Sequence, residues 1–146
     1  MKDLGIFHYS LGLQVLPLSY GFFISQSKYV MNLLNFFKMA YCKPYAIPFQ
    51  SRINLSKACQ TLKVNATLYR QLVSSISYLT HSRTDISFDV SVVSHFMQDP
   101  IENHLKEVNK IIRYLKGTTH IGIKYCCSLD SLASFTDSDW VGENDD

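Results

Sequence analysis

The block from Tyr69 to Thr118 constrains the fold of this chain more than any other part of its sequence. Three amphipathic segments follow one another there, with polar joints between them. The apolar residues of each segment recur at the three- to four-residue spacing of one helix face. They are Leu68, Leu72, Ile76 and Leu79, then Ile86, Val90, Val93 and Met97, and then Leu105, Val108, Ile112 and Leu115. The block therefore predicts three helices.

Polar residues mark the ends of these helices. The first joint runs from His81 to Asp85, and the third segment ends in a basic turn from Arg113 to Lys116. Gly117 follows that turn in the usual terminating position. In the first joint, Arg83 can form a local fork with Asp85 or cap the start of the second helix. Asp89, on the second helix, is expected to be a surface charge or the partner of a nearby lysine.

The residues before the block predict a β-hairpin and one further helix. From Phe7 to Val15 apolar and polar side chains alternate with a period of two, which is typical of a half-buried strand. Pro17 and Gly21 are expected to bracket the turn, and Phe22 to Ser25 supplies a return strand, so that residues 6–25 form the hairpin. A helix over Lys28 to Met39 follows.

Four aromatic residues in this part of the chain have two possible roles, base stacking and core packing. Their positions within a hairpin and an amphipathic helix favour core packing for all of them, namely Phe22, Phe23, Phe36 and Phe37. Residues 41–64 contain no periodic element and are expected to form an irregular linker. Two short strands are predicted beyond the helical block, at residues 121–125 and 132–136.

The composition narrows the class of protein without defining a function. A chain of 146 residues, 47% apolar and 18% charged, is expected to bury one core, and its net charge of +2 does not by itself indicate a nucleic-acid binder. Neither the cysteines nor the histidines show the spacing of a zinc site, so reduced thiols are expected. No apolar run approaches the roughly 18 residues of a membrane span, and no leader opens the sequence. A soluble intracellular protein is expected.

The motifs of the block resemble those of the copia-type retrotransposon Pol polyprotein. Tyr69-Arg70 and Tyr78-Leu79-Thr80 are similar to the Tyr-Arg and Tyr-Leu-Thr motifs of that family. Residues 83–87 are similar to its Arg-Pro-Asp-Ile-Ser joint, and residues 113–118 match its Arg-Tyr-Leu-Lys-Gly-Thr ending. On the amino side, residues 1–13 resemble the stretch that leads from the polymerase active site into the primer-grip hairpin. The resemblance spans nearly all of the chain, in the family's order.

The carboxyl end extends this resemblance to ribonuclease H, whose first strand is similar to residues 135–140. The family performs two-metal phosphoryl transfer with Mg²⁺, which is held by paired carboxylates. The resemblance assigns the first metal-binding position to Asp137, with Asp139 on the same strand face. One carboxylate does not make such a site, so Asp137 is a vestigial catalytic position that would bind a metal only if the missing ligands were supplied. The alternative is that both are solvated carboxylates. The polymerase motif Tyr-x-Asp-Asp is absent from the sequence.

The same resemblance implies contacts with a template-primer of RNA and DNA. Leu11 and Gly12 lie where the family's hairpin approaches the primer terminus, and a glycine allows close backbone approach; the alternative is a glycine at an ordinary bulge. Arg83, Arg113 and Lys116 are candidate phosphate contacts, because such surfaces bind nucleic-acid backbones through charge. Solvated basic faces, and a structural role for Arg83, are the alternatives.

Taken together, the patterns and the resemblance predict an α+β fold with three parts. Residues 1–64 correspond to a primer-grip hairpin, thumb helix and linker, residues 65–119 to a helical connection-like block, and residues 120–146 to the first strands of an incomplete ribonuclease H sheet. Departures from the family, with Ser10, Ser74 and Thr84 in place of an aromatic residue, a glycine and a proline, indicate a truncated or degenerate copy.

The predicted function is that of a reverse transcriptase fragment which positions nucleic acid and is inactive alone. Its partners would be the template-primer hybrid and the rest of the Pol polyprotein, and no membrane is expected. One alternative is a nucleic-acid-binding remnant that holds RNA–DNA hybrids through its basic helix faces. Another is a structural or interaction module without nucleic-acid contact.

Overall fold

The computed structural model describes residues 9–48 and 62–126. Four strands form one sheet: β1 (Tyr9–Ser10), β2 (Leu13–Leu18), β3 (Gly21–Ser25) and β4 (Ile123–Cys126). Four helices accompany it: α1 (Ser27–Phe36), α2 (Ala66–Leu79), α3 (Ser87–Ser94) and α4 (Glu102–Gly117). A short 3-10 helix, Thr84–Ile86, leads directly into α3. The fold is thus mixed helix and sheet, in agreement with the predicted class.

The sheet is antiparallel throughout, with the strand order β1-β2-β3-β4. The predicted single strand from Phe7 to Val15 is wrong in its described part, because a two-residue turn at Leu11 and Gly12 divides it. Both residues have positive φ, 47° and 79°, as a tight hairpin turn requires. Pro17 also differs from its predicted position at a turn, since it lies within β2 opposite Phe22.

Strand β4 pairs with β3, and Ile24 lies opposite Ile123. The strand candidate at residues 121–125 therefore exists, but it extends the sheet of the amino-terminal hairpin. In the part of the chain that the structure describes, the segment beginning at residue 120 thus shares its sheet with residues 13–25. The division into three parts stays a prediction, and the second strand candidate, at residues 132–136, lies outside the described residues.

The helices enclose the core and bury most of the apolar residues predicted for α2, α3 and α4, but Leu68 is 43% exposed and Leu105 is only partly buried. The members of the core are Val30, Leu33, Leu34, Tyr69, Leu72, Val73, Ile76, Leu79, Ile86, Val90, Val93, Val108, Ile111, Ile112 and Leu115. Asn65 caps the start of helix α2, because its side chain accepts hydrogen bonds from the backbone N–H groups of Thr67 and Leu68 at 2.9 and 3.1 Å. The buried Tyr69 hydroxyl donates to the Val93 carbonyl at 2.8 Å and joins α2 to α3.

Three expectations about side chains are wrong. Met97 lies beyond the end of α3, which stops at Ser94. Phe36 is 75% exposed at the last residue of α1, so it is not the core residue that its periodicity favours, and Phe22 is also exposed. Asp89 is buried, at 7% exposure, and is therefore not a surface charge. No helix within residues 9–48 and 62–126 is long and apolar enough to cross a membrane.

Candidate nucleic-acid interface

In the turn between β1 and β2, the side chain of Leu11 is exposed to solvent, and the backbone of the turn is held by a residue of α2. Leu11 is 85% exposed, and its carbonyl accepts a hydrogen bond from the Tyr78 hydroxyl, near the end of α2. A Cβ atom added at Gly12 would lie 2.9 Å from that hydroxyl oxygen. A side chain at position 12 would therefore require the Tyr78 hydroxyl or the turn to shift. Leu11 and Gly12 form a turn with a defined position, as opposed to a bulge within a strand.

Arg83 is held inside the protein. Its Nε and Nη2 donate to the two carboxylate oxygens of Asp85 at 2.9 and 2.7 Å. Its Nη1 and Nη2 donate to the carbonyl and hydroxyl oxygens of Thr118 at 2.9 and 2.7 Å. With 1% of its surface exposed, Arg83 joins the start of the 3-10 helix to the end of α4. The predicted fork with Asp85 is confirmed, and in this conformation the guanidinium is covered by the chain itself.

The pKa values of Asp85 and Asp89 are shifted in opposite directions. Burial on its own raises the pKa of Asp85, but hydrogen bonds from Arg83 and Tyr114 and the charge of Arg83 outweigh it, so the pKa lies below its ordinary value. The Tyr114 hydroxyl donates to Asp85 at 2.8 Å. Burial, followed by repulsion from Asp85, raises the pKa of Asp89. The surroundings therefore favour the ionised form of Asp85 and disfavour the ionised form of Asp89.

Arg113 and Lys116, on the last turns of α4, bind the segment that follows α1. The Nε atom of Arg113 donates to the Lys43 carbonyl at 2.7 Å, and its guanidinium lies 5.1 Å from the centre of the Tyr45 ring. The Nζ atom of Lys116 donates to the Cys42 carbonyl at 2.6 Å. Both cations are partly exposed, so they retain a solvent-facing side in addition to these contacts.

The five predicted nucleic-acid contacts thus fall into two groups. Arg83, Arg113 and Lys116 lie around the carboxyl end of α4, and each donates a hydrogen bond to a backbone carbonyl of the chain. Leu11 and Gly12 lie at the end of α2. Tyr78 and Thr118, which fix these groups, were not predicted from the sequence, although both belong to motifs that carry the family resemblance. Their position in those motifs was the available signal.

Metal binding was predicted only for Asp137, which lies outside the described residues, as does Asp139. Within residues 9–48 and 62–126, no group of three or more histidine, cysteine, aspartate and glutamate side chains is placed to hold a metal ion. The donors within the described residues therefore do not fit Mg²⁺.

Comparison with known proteins gives relatives along nearly the whole chain. The retrovirus-related Pol polyprotein from transposon RE1 of Arabidopsis thaliana is 38% identical over 148 aligned residues, which cover 100% of this chain and 10% of that protein. The Pol polyprotein from transposon TNT 1-94 of Nicotiana tabacum is 34% identical over an alignment that includes 99% of this chain and 12% of that protein. An uncharacterized mitochondrial protein of Arabidopsis thaliana is 36% identical, with 97% of this chain and 59% of that protein aligned. No family model and no solved structure matches the chain.

These relatives place the chain in a class of transposon-derived polyprotein segments with a mixed helix and sheet fold. The motifs of residues 69–118 and the similarity over nearly the full length agree on the lineage. The chain belongs to the copia-type Pol polyprotein family, and it spans about a tenth of the length of the polyproteins it matches.

Proposed function

We propose that the chain is the primer-grip, thumb and connection portion of a copia-type reverse transcriptase, followed by the start of a ribonuclease H domain. Its role is to hold a template-primer of RNA and DNA while other parts of the polyprotein carry out the Mg²⁺-dependent chemistry. The chain alone is expected to be inactive, because its 146 residues contain no Tyr-x-Asp-Asp motif and Asp137 alone does not make a two-metal site.

The Leu11–Gly12 turn is the single observation that carries this proposal. Its tip is exposed, its glycine has a φ of 79°, and its backbone is anchored by Tyr78. A primer grip needs such a rigid backbone turn, since it has to approach the end of a nucleic-acid strand without moving. The partial exposure of Arg113 and Lys116 supports a further phosphate contact at the end of α4. The burial of Arg83 supports a structural role for that residue.

The test is binding of a fluorescently labelled RNA–DNA hybrid, measured by anisotropy at increasing salt concentration. Affinity is expected to fall steeply with salt, because bound phosphates release counterions. Leu11→Asp places a negative charge at the exposed tip and is expected to weaken binding by about fivefold, or ~1 kcal/mol. Leu62→Asp is the matched control, since Leu62 is also exposed but lies far from the turn in sequence. Equal effects of the two substitutions would contradict the primer-grip assignment.

The other roles give different results in the same experiments. If Arg113 contacts a phosphate, Arg113→Gln lowers the slope of log affinity against log salt by about 0.9. A remnant that binds hybrids without the primer-grip geometry would bind with salt dependence but would not respond to Leu11→Asp. A structural module would bind no hybrid even at low salt. Nucleotide incorporation on a primed template with Mg²⁺ would overturn the expected inactivity.

A further inference from the structure

The acidic residues of this chain are distributed very unevenly. Between Asp3 and Asp85 the sequence contains no aspartate or glutamate. The same interval contains eight basic residues: Lys28, Lys38, Lys43, Arg52, Lys57, Lys63, Arg70 and Arg83. A net charge of +2 for the whole chain conceals this difference, because the acids are concentrated after residue 84. Of these cations, Lys28 on α1 and Arg70 on α2 are exposed, whereas Arg83 is paired with Asp85 and Lys63 with Asp99. The exposed cations of α1 and α2 therefore favour anions at this part of the surface.

A groove between the end of α1 and the amino-terminal half of α2 lies within this acid-free part. It has a volume of about 480 Å³, within the roughly 300–1,000 Å³ typical of ligand pockets. Phe36 forms one wall, and a row of polar side chains on α2 forms the other: Thr67, Arg70, Gln71 and Ser74. These four residues recur at three- to four-residue spacing and so lie on one face of the helix.

The two walls provide different chemistry. Phe36 is 75% exposed and is held edge-on to Phe37, with ring centres 4.9 Å apart. On α2, the Nε atom of Arg70 donates to the Met97 carbonyl at 3.1 Å, which fixes the guanidinium. Within the described residues, no hydrogen bond engages its two terminal nitrogens. Asp99, which lies close to Met97 in sequence, is paired with Lys63 at 3.2 Å.

We infer that this groove binds one or two nucleotides of a single nucleic-acid strand, with a base stacked on Phe36 and a phosphate bound by Arg70. A base presents a flat face to an exposed aromatic ring, and a guanidinium with two available nitrogens matches the geometry of a phosphate. The hydroxyl and amide groups of α2 suit the sugar and phosphate oxygens. The absence of carboxylates from Leu4 to Thr84 favours this anionic occupant over the helix of a partner protein. The inference rests on the proposed nucleic-acid role and adds a single-strand site to it, apart from the Leu11–Gly12 turn.

The test uses the full chain and two labelled probes, a 12-nucleotide oligothymidylate and a blunt RNA–DNA hybrid. Phe36→Leu is expected to lower affinity for the single strand about tenfold, since one base stack is lost. Phe88→Leu is the matched control, because Phe88 is similarly exposed, at 68%, on α3. Arg70→Gln is expected to lower the salt slope for the single strand by about 0.7. Lys106→Gln, which changes an exposed cation on α4, is its control.

The two probes separate this inference from the proposed function. Loss of single-strand binding in Phe36→Leu, with hybrid binding unchanged, supports the groove. Equal single-strand affinities for Phe36→Leu and Phe88→Leu overturn it, even if the hybrid still binds and the primer-grip proposal stands. Single-strand binding that depends on Phe36, without any hybrid binding, supports the groove and contradicts the template-primer role. A wild-type chain that binds neither probe overturns both.

Discussion

Arg83 and Asp85 form a two-point ion pair across a single intervening residue. Two guanidinium nitrogens meet two carboxylate oxygens at 2.9 and 2.7 Å, while the same guanidinium binds Thr118 at the end of α4. The pair therefore connects the joint after α2 with the last helix of the block. Arg83, Asp85 and Thr118 all belong to motifs that carry the family resemblance. One role of those motifs is therefore structural, because their residues connect the helices of the block.

Removal of the Arg83 charge is expected to destabilise the fold strongly. Arg83→Gln leaves Asp85 without its main partner and Thr118 without two hydrogen bonds, at a cost of about 3 kcal/mol in the free energy of unfolding. The measurement is a urea titration followed by circular dichroism. Lys124→Gln, a change at an exposed cation on β4, is the control and is expected to lie within about 0.5 kcal/mol of wild type. A loss at Arg83 no larger than this would show that the network contributes little.

Asp85 and Asp89 are expected to respond to substitution in opposite directions. The pKa of Asp85 is lowered in the folded state, so its carboxylate stabilises the fold above its unfolded pKa, near 3.8, and that contribution is lost as pH falls through the folded pKa. Asp85→Asn is therefore expected to destabilise the chain at pH 7 and to approach wild type at low pH.

The pKa of Asp89 is raised by burial and by Asp85, so its ionisation disfavours the folded state. Asp89→Asn is expected to increase the free energy of unfolding at pH 7, and the gain is expected to vanish below the ordinary pKa of 3.8, where Asp89 is protonated in both states. Urea titrations at several pH values test both substitutions. An Asp89→Asn variant that is less stable than wild type at pH 7 would contradict the expected direction.

A side chain at position 12 is expected to disturb the turn. Gly12→Ala imposes a left-handed conformation on an alanine, which costs about 1–2 kcal/mol, and brings its Cβ against Tyr78. Thermal unfolding of Gly12→Ala, Tyr78→Phe and the double variant measures the coupling between the two sites. Gly117→Ala, at a helix end without positive φ, is the control. If the two glycine variants are equally stable, the turn does not have the conformation described.

The contact between α4 and the segment after α1 is expected to protect a thiol. Lys116→Met removes the hydrogen bond to the Cys42 carbonyl, worth about 1 kcal/mol, so Cys42 is expected to react with a thiol reagent about fivefold faster. Peptide-resolved mass spectrometry gives the rate for each cysteine. Cys126, exposed on β4, is the internal control and is expected to be unchanged. An equal increase at both cysteines would indicate global loosening instead.

Helices α2 and α4 were predictable from the sequence because each buries most of an apolar stripe. The stripes on α2 and α4 give their positions to within about three residues, and the predicted terminator Gly117 is the last residue of α4. The Asn65 cap of α2 was not predicted. The division of the hairpin was not predictable from periodicity, since Leu11 and Gly12 continue the alternation of apolar and small residues through the turn. Only their positive φ angles distinguish a turn from a strand at that point.

The burial or exposure of individual side chains was the property least predictable from the sequence. Asp89 was predicted to be a surface charge or the partner of a lysine, yet the packing of helices around it buries it. Phe36 reads as core in a helical pattern, but α1 ends there and leaves the ring exposed. Such outcomes depend on how neighbouring elements pack, which a single sequence does not contain. Arg83 was the exception, because its partner Asp85 lies two residues away.

The pairing of β3 with β4 joins residues about 100 positions apart. Closing so long a loop is entropically unfavourable, so this pairing is expected to form late, after the intervening helices have packed. A chain cut between residues 119 and 120 would expose the unpaired backbone edge of β3, where strands of other molecules could add. Intact pairing of Ile24 with Ile123 is therefore a local sign that the whole described chain has folded.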